Sequence, residues 1–187
     1  MVILDAAIVI VALPSIQADL GFSEQGLQWV ISAYALTFGG LLLLGGRAAD
    51  LLGRRRLFMT GVLLFTVASL MCGLAWSPAA LIDARVVQGV GAAIMTPTAL
   101  SIISATFPEG PERNKALGIW GALGGIGATA AWLIGGPLVD GPGWEWIFFI
   151  NIPLGLAALA LSPLLLRESL ASLTRRSYDP AGALTII

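Results

Sequence analysis

The sequence predicts an all-α integral membrane protein whose backbone crosses a bilayer six times, and three observations predict it. The first is composition. Of 187 residues 57% are hydrophobic and 11% charged, against about 25% charged in soluble domains, whose surface must be wetted. The mean hydropathy of +0.90 agrees. The second is spacing: cut at its charges, the chain falls into apolar pieces of about 20 residues, enough helix to cross roughly 30 Å of hydrocarbon. The third is the placement of the basic residues, which keep to alternate loops. A buried core in a soluble helical protein is the competing explanation. Core helices have shorter apolar runs and keep a polar face, and these segments do not.

Each element follows from those cuts. Residues 1–18 make the first span, apolar apart from Asp5. Residues 25–46 carry no charge and make the second. The uncharged run 57–82 breaks at Trp76-Ser77-Pro78, which closes the third span, and 79–107 makes the fourth with only Asp83 and Arg85 inside it. Residues 116–139 and 146–166, again without charge, make the fifth and sixth. The polar stretch 167–180 reads as a cytoplasmic linker, and 181–187 as the start of a seventh span. The six-span bundle is thus expected over 1–166. Met1 opens directly on an apolar run, without the basic segment or cleavage site of a signal peptide. That abrupt start is read as the interior of a longer chain.

The loops fix the orientation. Arg47, Arg54, Arg55 and Arg56 lie between spans two and three, Arg113 and Lys115 between four and five, and Arg167, Arg175 and Arg176 after six. The first, third and fifth loops have no Lys or Arg. Nine of the ten basic residues therefore obey the positive-inside rule, which puts those three segments and the N-terminus in the cytoplasm of a multi-pass cell-membrane protein. Trp76, Trp144 and Trp146 fall at the predicted outer boundaries, where an indole favours the headgroup zone.

Several chemistries are excluded. The chain has no histidine, so zinc hydrolysis, serine–histidine catalysis and histidine-ligated haem are out of reach. Cys72 is the single cysteine and has no partner for a disulfide or a metal site. The run from Gly125 to Ala130 formally fits a dinucleotide fingerprint, but no strand precedes it and it lies within a span. No phosphate-binding Gly-Lys-Ser/Thr loop occurs. No cofactor, metal, catalytic residue or enzyme activity is expected, and a net charge of −1 gives no reason to expect nucleic acid.

Two charges stand well inside spans, Asp5 and Arg85. A charge at mid-helix costs about 2.5–3.5 kcal/mol on insertion scales, so such residues are functional by default. The bland alternatives are that Asp5 reaches the nearer interface and that Arg85 snorkels to the outer one. Against the second, a lone outer arginine breaks the pattern that the other nine obey. A carboxyl withdrawn from water holds its proton to higher pH and suits proton uptake and release. Between spans two and three, Gly46 and Gly53 suit close helix approach and a tight turn. Asp50 is placed to cap a helix or pair with an arginine. Gly121 and Gly125, with Ala128 and Thr129 beyond, make a small-residue face for helix packing.

At this level the chain resembles the major facilitator superfamily. Gly46, Asp50, Gly53, Arg54 and Arg55 match its Gly-x-x-x-Asp-x-x-Gly-Arg-Arg signature between helices two and three. The first span, from Leu4-Asp5 to Ala12-Leu13-Pro14, resembles that of the fourteen-span drug:proton antiporters. Arg85-Val86-Val87-Gln88-Gly89-Val90-Gly91-Ala92 matches the family's fourth-helix signature, and Trp146 to Pro153 looks like its sixth helix. The resemblance implies an N-terminal six-helix bundle of two inverted three-helix repeats. Asp5, Arg85 and Gln88 would line the transport path and couple it to protons. The Asp50 segment would be a cytoplasmic gate, and Gly89, Gly91, Gly135 and Gly136 would pack helices. The implied partners are a small-molecule substrate, protons, the lipid bilayer and a C-terminal bundle missing here. Three departures stand out: Ile10 replaces the family's Asn, Ala131-Trp132 replaces the Gly-Pro of the fifth helix, and Glu145 replaces the Arg of Trp-Arg-Trp. The leading expectation is proton-coupled efflux of drugs or other lipophilic or cationic molecules. The alternatives are a facilitator for another small metabolite and a truncated, transport-inactive fragment.

Overall fold

The computed structural model describes residues 1–166. The expected linker and seventh span lie outside the described residues. Every regular element among them is a helix: α1 Val2–Leu20, α2 Glu24–Leu52, α3 Arg54–Gly73, α4 Pro78–Thr106, α5 Pro111–Asp140, α6 Trp146–Phe149 and α7 Asn151–Leu165. The last two follow one another across Ile150 and together make the sixth span, Trp146–Leu165. All six spans are long and apolar enough to cross a membrane, as the sequence predicts, and the chain is a multi-pass membrane protein.

Local chemistry sets the ends. Gly21 takes the left-handed conformation that stops α1, its φ of 69° costing a residue without Cβ little. The Ser23 hydroxyl accepts from the Gly26 amide at 3.1 Å and caps α2. Ser77 caps α4 in the same way at 3.3 Å, with Pro78 in the first turn, where its missing N–H is no loss.

Between α2 and α3 the expected loop is absent. Helix α2 runs on to Leu52 and α3 begins at Arg54, leaving Gly53 alone to turn the chain at a φ of 94°. Charges hide helical turns that pass beyond the hydrocarbon, so the uncharged runs understate helix length at this end.

The helices pair crosswise. Helix α4 packs mainly on α2 and α3, α1 packs mainly on α5, and α7 on α3. The first helix of each three-helix half thus lies on the second helix of the other half, as two repeats related by a two-fold axis require. Glycines permit the close crossings. A Cβ on Gly89 would sit 2.8 Å from the Tyr34 carbonyl, and one on Gly91 2.6 Å from the Phe65 amide. Gly45 abuts the Ala93 carbonyl, whereas Gly46, the residue the sequence favours, has only ordinary contact with Pro97 at 3.6 Å.

On α5 the packing face differs from the one expected. Gly121, Gly125 and Gly136 meet nothing within 4 Å, while Gly124, Gly127 and Gly135 face Ile3, Leu4, and Ile8 with Val11 of α1. Gly135 packs as expected, while the face that meets α1 is turned by about a quarter turn from the one Gly121 and Gly125 predict. Small residues occur on both sides of this helix, so spacing alone does not choose between them.

Candidate functional site

The two charges inside the spans meet. Asp5 lies one turn into α1 and Arg85 two turns into α4, and the Arg85 Nη1 donates to Asp5 Oδ2 at 2.5 Å. Their relative exposures are 0% and 1%, which rules out snorkelling to either surface. A buried ion pair survives only when further hydrogen bonds support it, and here both partners make them. Arg85 Nη1 also donates to Gln88 Oε1 at 2.6 Å, its Nε donates to the Val30 carbonyl at 3.0 Å, and its Cζ sits 4.2 Å from the Tyr34 ring centroid. The other carboxylate oxygen, Asp5 Oδ1, accepts from Gln88 Nε2 at 2.8 Å and from Asn151 Nδ2 at 3.0 Å.

The network extends to α3. Ser69 Oγ accepts from Gln88 Nε2 at 2.8 Å and donates to the Phe65 carbonyl, and the Cys72 thiol lies 3.7 Å from Gln88 Oε1. Helices α1, α2, α3, α4 and α7 therefore converge on one dry polar knot. Gln88 lies one turn beyond Arg85 on the same face of α4, so both reach Asp5. Asn151 opens α7 immediately after Ile150, which directs its amide inward; its Oδ1 is buried and has no hydrogen-bond partner among the described residues.

Of the residues expected on the transport path, Asp5, Arg85 and Gln88 are thus joined. Asn151, Ser69 and Tyr34 belong with them, though sequence reasoning did not name them as site residues. The signal was there: each is a polar or amphipathic side chain in an uncharged run, and a search keyed to charge passes over neutral amides and hydroxyls. Two departures from the family pattern leave the knot intact. Ile10 lies on an exposed face of α1, and Trp132 is exposed on α5.

The residues expected to form a gate lie apart from this knot. Gly46 and Asp50 fall in the last turns of α2, Gly53 forms the turn, and Arg54 and Arg55 open α3. Arg55 Nη1 donates to the Leu166 carbonyl at 3.4 Å, tying this end of α3 to the end of α7. At the opposite end of the bundle, Trp144 is buried, its Nε1 donating to Asp19 Oδ2 at 3.0 Å. It is an inward brace, unlike the exposed Trp76 and Trp146. A cavity of about 440 Å³ opens near the start of α1, with Val2, Phe38, Phe58, Met95 and Trp120 in its wall.

Six membrane-length helices around a buried ion pair define a polytopic membrane protein. The chain belongs to the Major Facilitator Superfamily, whose family model matches residues 1–182. Among its relatives it is 46% identical over 181 residues to the uncharacterized MFS-type transporter EfpA of Mycobacterium tuberculosis, covering 97% of this chain and 34% of that one. It is 50% identical over 168 residues to a puromycin resistance protein of Streptomyces alboniger, covering 90% and 33%. It is 45% identical over 162 residues to the cephamycin export protein CmcT of Amycolatopsis lactamdurans, covering 87% and 33%. The chain spans about a third of the length of these relatives. The fold is similar to an inward-facing bacterial homologue of the lysosomal transporter Spinster, with a TM-score of 0.71 at 23% identity over 96% of this chain and 43% of that one. It is also similar to a peptide transporter POT in complex with sulfate, with a TM-score of 0.73 at 20% identity over 98% and 40%.

Proposed function

We propose that this chain is the N-terminal bundle of a proton-coupled exporter of lipophilic or cationic small molecules, antibiotics among them. The observation that carries the reading is the Asp5–Arg85 pair, an ion pair kept out of water where apolar side chains would fold at least as well. The relatives named for puromycin resistance and cephamycin export support the substrate class. So does the apolar wall of the cavity beside α1.

The helix pairing suggests how the pair acts. Helices α1 and α5 form one block, α2, α3 and α4 another, and the ion pair ties α1 to α4. A proton on Asp5 removes the charge that holds Arg85. Arg85 keeps the Val30 carbonyl, Gln88 and the Tyr34 ring, so the cation stays with α2 and α4 while α1 loses its ion pair. Substrate and proton then compete for the state in which α1 is held. The energy is adequate: one charge crossing the membrane contributes about 2.3 kcal/mol per 100 mV.

The basic segments face the cytoplasm in this reading, and the protein resides in the cell membrane with its N-terminus inside. Gly46, Asp50, Gly53, Arg54 and Arg55 form the cytoplasmic gate against a second bundle. Residues 167–180 link the bundle to a further span beginning at 181. The protein moves its substrate without covalent chemistry.

Asp5→Asn in the full-length transporter tests the reading. Proton-driven dye efflux in everted vesicles should fall at least tenfold and lose its pH dependence. Export with an unchanged pH profile would remove Asp5 from proton coupling and favour a facilitator of another kind.

A further inference from the structure

We propose that Asn151 registers the proton on Asp5: its amide donates to the carboxylate through Nδ2, and on protonation turns over to accept the carboxyl O–H at Oδ1. This rests on Asp5 being the proton carrier, and adds to it the group that receives the proton's hydrogen bond.

All three side chains bonded to the Asp5 oxygens are donors: the Arg85 guanidinium and the amides of Gln88 and Asn151. That arrangement suits a carboxylate, which only accepts. A carboxyl group also carries a donor, and a buried donor without an acceptor is costly. The acceptors nearby are taken. The Val30 carbonyl receives Arg85 Nε, and Gln88 Oε1 receives Arg85 Nη1 and faces the Cys72 thiol. Ser69 Oγ receives Gln88 Nε2 while giving its own proton to the Phe65 carbonyl. Asn151 Oδ1 is the buried oxygen left over, on a side chain of 0% exposure whose nitrogen already touches Asp5.

Turning an amide end over exchanges a donor for an acceptor with almost no change of shape. The proton goes to Asp5 Oδ1, because Oδ2 faces the guanidinium. The Nδ2 bond to that oxygen is replaced by O–H···Oδ1, and no backbone movement is needed. The ionisable groups facing Asp5 are Arg85 from α4, Tyr34 from α2, Cys72 from α3 and the Met1 amino group just ahead of α1. Helix α5 carries its ionisable side chains in its end turns, and α6 and α7 carry none. The consequence is mechanical: α1 keeps its bonds to Asn151 of α7 and Gln88 of α4 in both states, while its ion pair with Arg85 exists only in the charged one.

The chain contains two asparagines, the buried Asn151 and the exposed Asn114. That makes infrared difference spectroscopy selective. The 187-residue chain carrying Asn114→Gln, with isotopically labelled asparagine, is measured in bilayers at high and low pH. The expected result is a protonated-carboxyl band that disappears in Asp5→Asn, with the labelled amide carbonyl moving to lower frequency as it gains a donor. Asn151→Ala should then move the carboxyl band to higher frequency. An Asp5-dependent carboxyl band with a silent labelled amide would overturn this inference and leave the proton role of Asp5 standing. Absence of any Asp5-dependent band would overturn both.

Discussion

At the scale of single residues, the buried pair makes an asymmetric prediction. Removing one partner leaves the other charged and dry, which costs about 3–5 kcal/mol, whereas removing both leaves a neutral site of similar volume. Arg85→Met should therefore lower stability in detergent by roughly that amount. Asp5→Asn combined with Arg85→Met should recover part of it, because the stranded carboxylate is gone. Unfolding of the two single variants and the double variant measures the coupling. Losses that merely add would mean that the two residues do not act as a pair. The neutral members of the knot bear on geometry more than on charge: Gln88 bridges Asp5, Arg85 and Ser69, and so fixes the distance between α1, α3 and α4.

At the scale of helices, glycine position decides which faces meet. Gly91 lies where a Cβ would press on the Phe65 backbone at 2.6 Å, so Gly91→Ala must move α3 away from α4 and should cost about 1–3 kcal/mol. Gly121→Ala meets nothing within 4 Å and should be neutral or slightly stabilising, since alanine favours the helix. Equal effects of the two would contradict the packing described. The pair also shows what the sequence makes legible. Span number follows from the charge gaps, whereas the run of α2 on to Leu52 does not, because Arg47 and Asp50 interrupt the apolar pattern without ending the helix. The rotation of α5 does not, because Gly121, Gly125 and Gly136 offer as plausible a small-residue face as Gly124, Gly127 and Gly135. Likewise Asp5 and Arg85 stand out as charges out of water, and their meeting 80 positions apart in the chain is tertiary. Asn151 is hidden for a related reason: a neutral amide interrupts an apolar run too weakly to announce a site.

At the scale of the whole molecule, the topology and the coupling are each open to measurement. Cys72 is buried and the only cysteine, so introduced thiols report alone. Glu109→Cys and Asp140→Cys flank α5 and should react with a membrane-impermeant reagent from opposite faces, the first from the cytoplasm. Reaction of both from one side would break the six-span count. The crosswise pairing of α1 with α5 and of α4 with α2 gives the bundle two blocks that share a buried charge pair, and the proposed exporter uses that charge as its switch. The most direct measurement is proton release by the purified full-length transporter in weakly buffered solution when substrate is added. About one proton should be released per transporter, and the release should be abolished by Asp5→Asn while substrate still binds. Undiminished proton release from the Asp5→Asn protein would contradict the proposed role of Asp5.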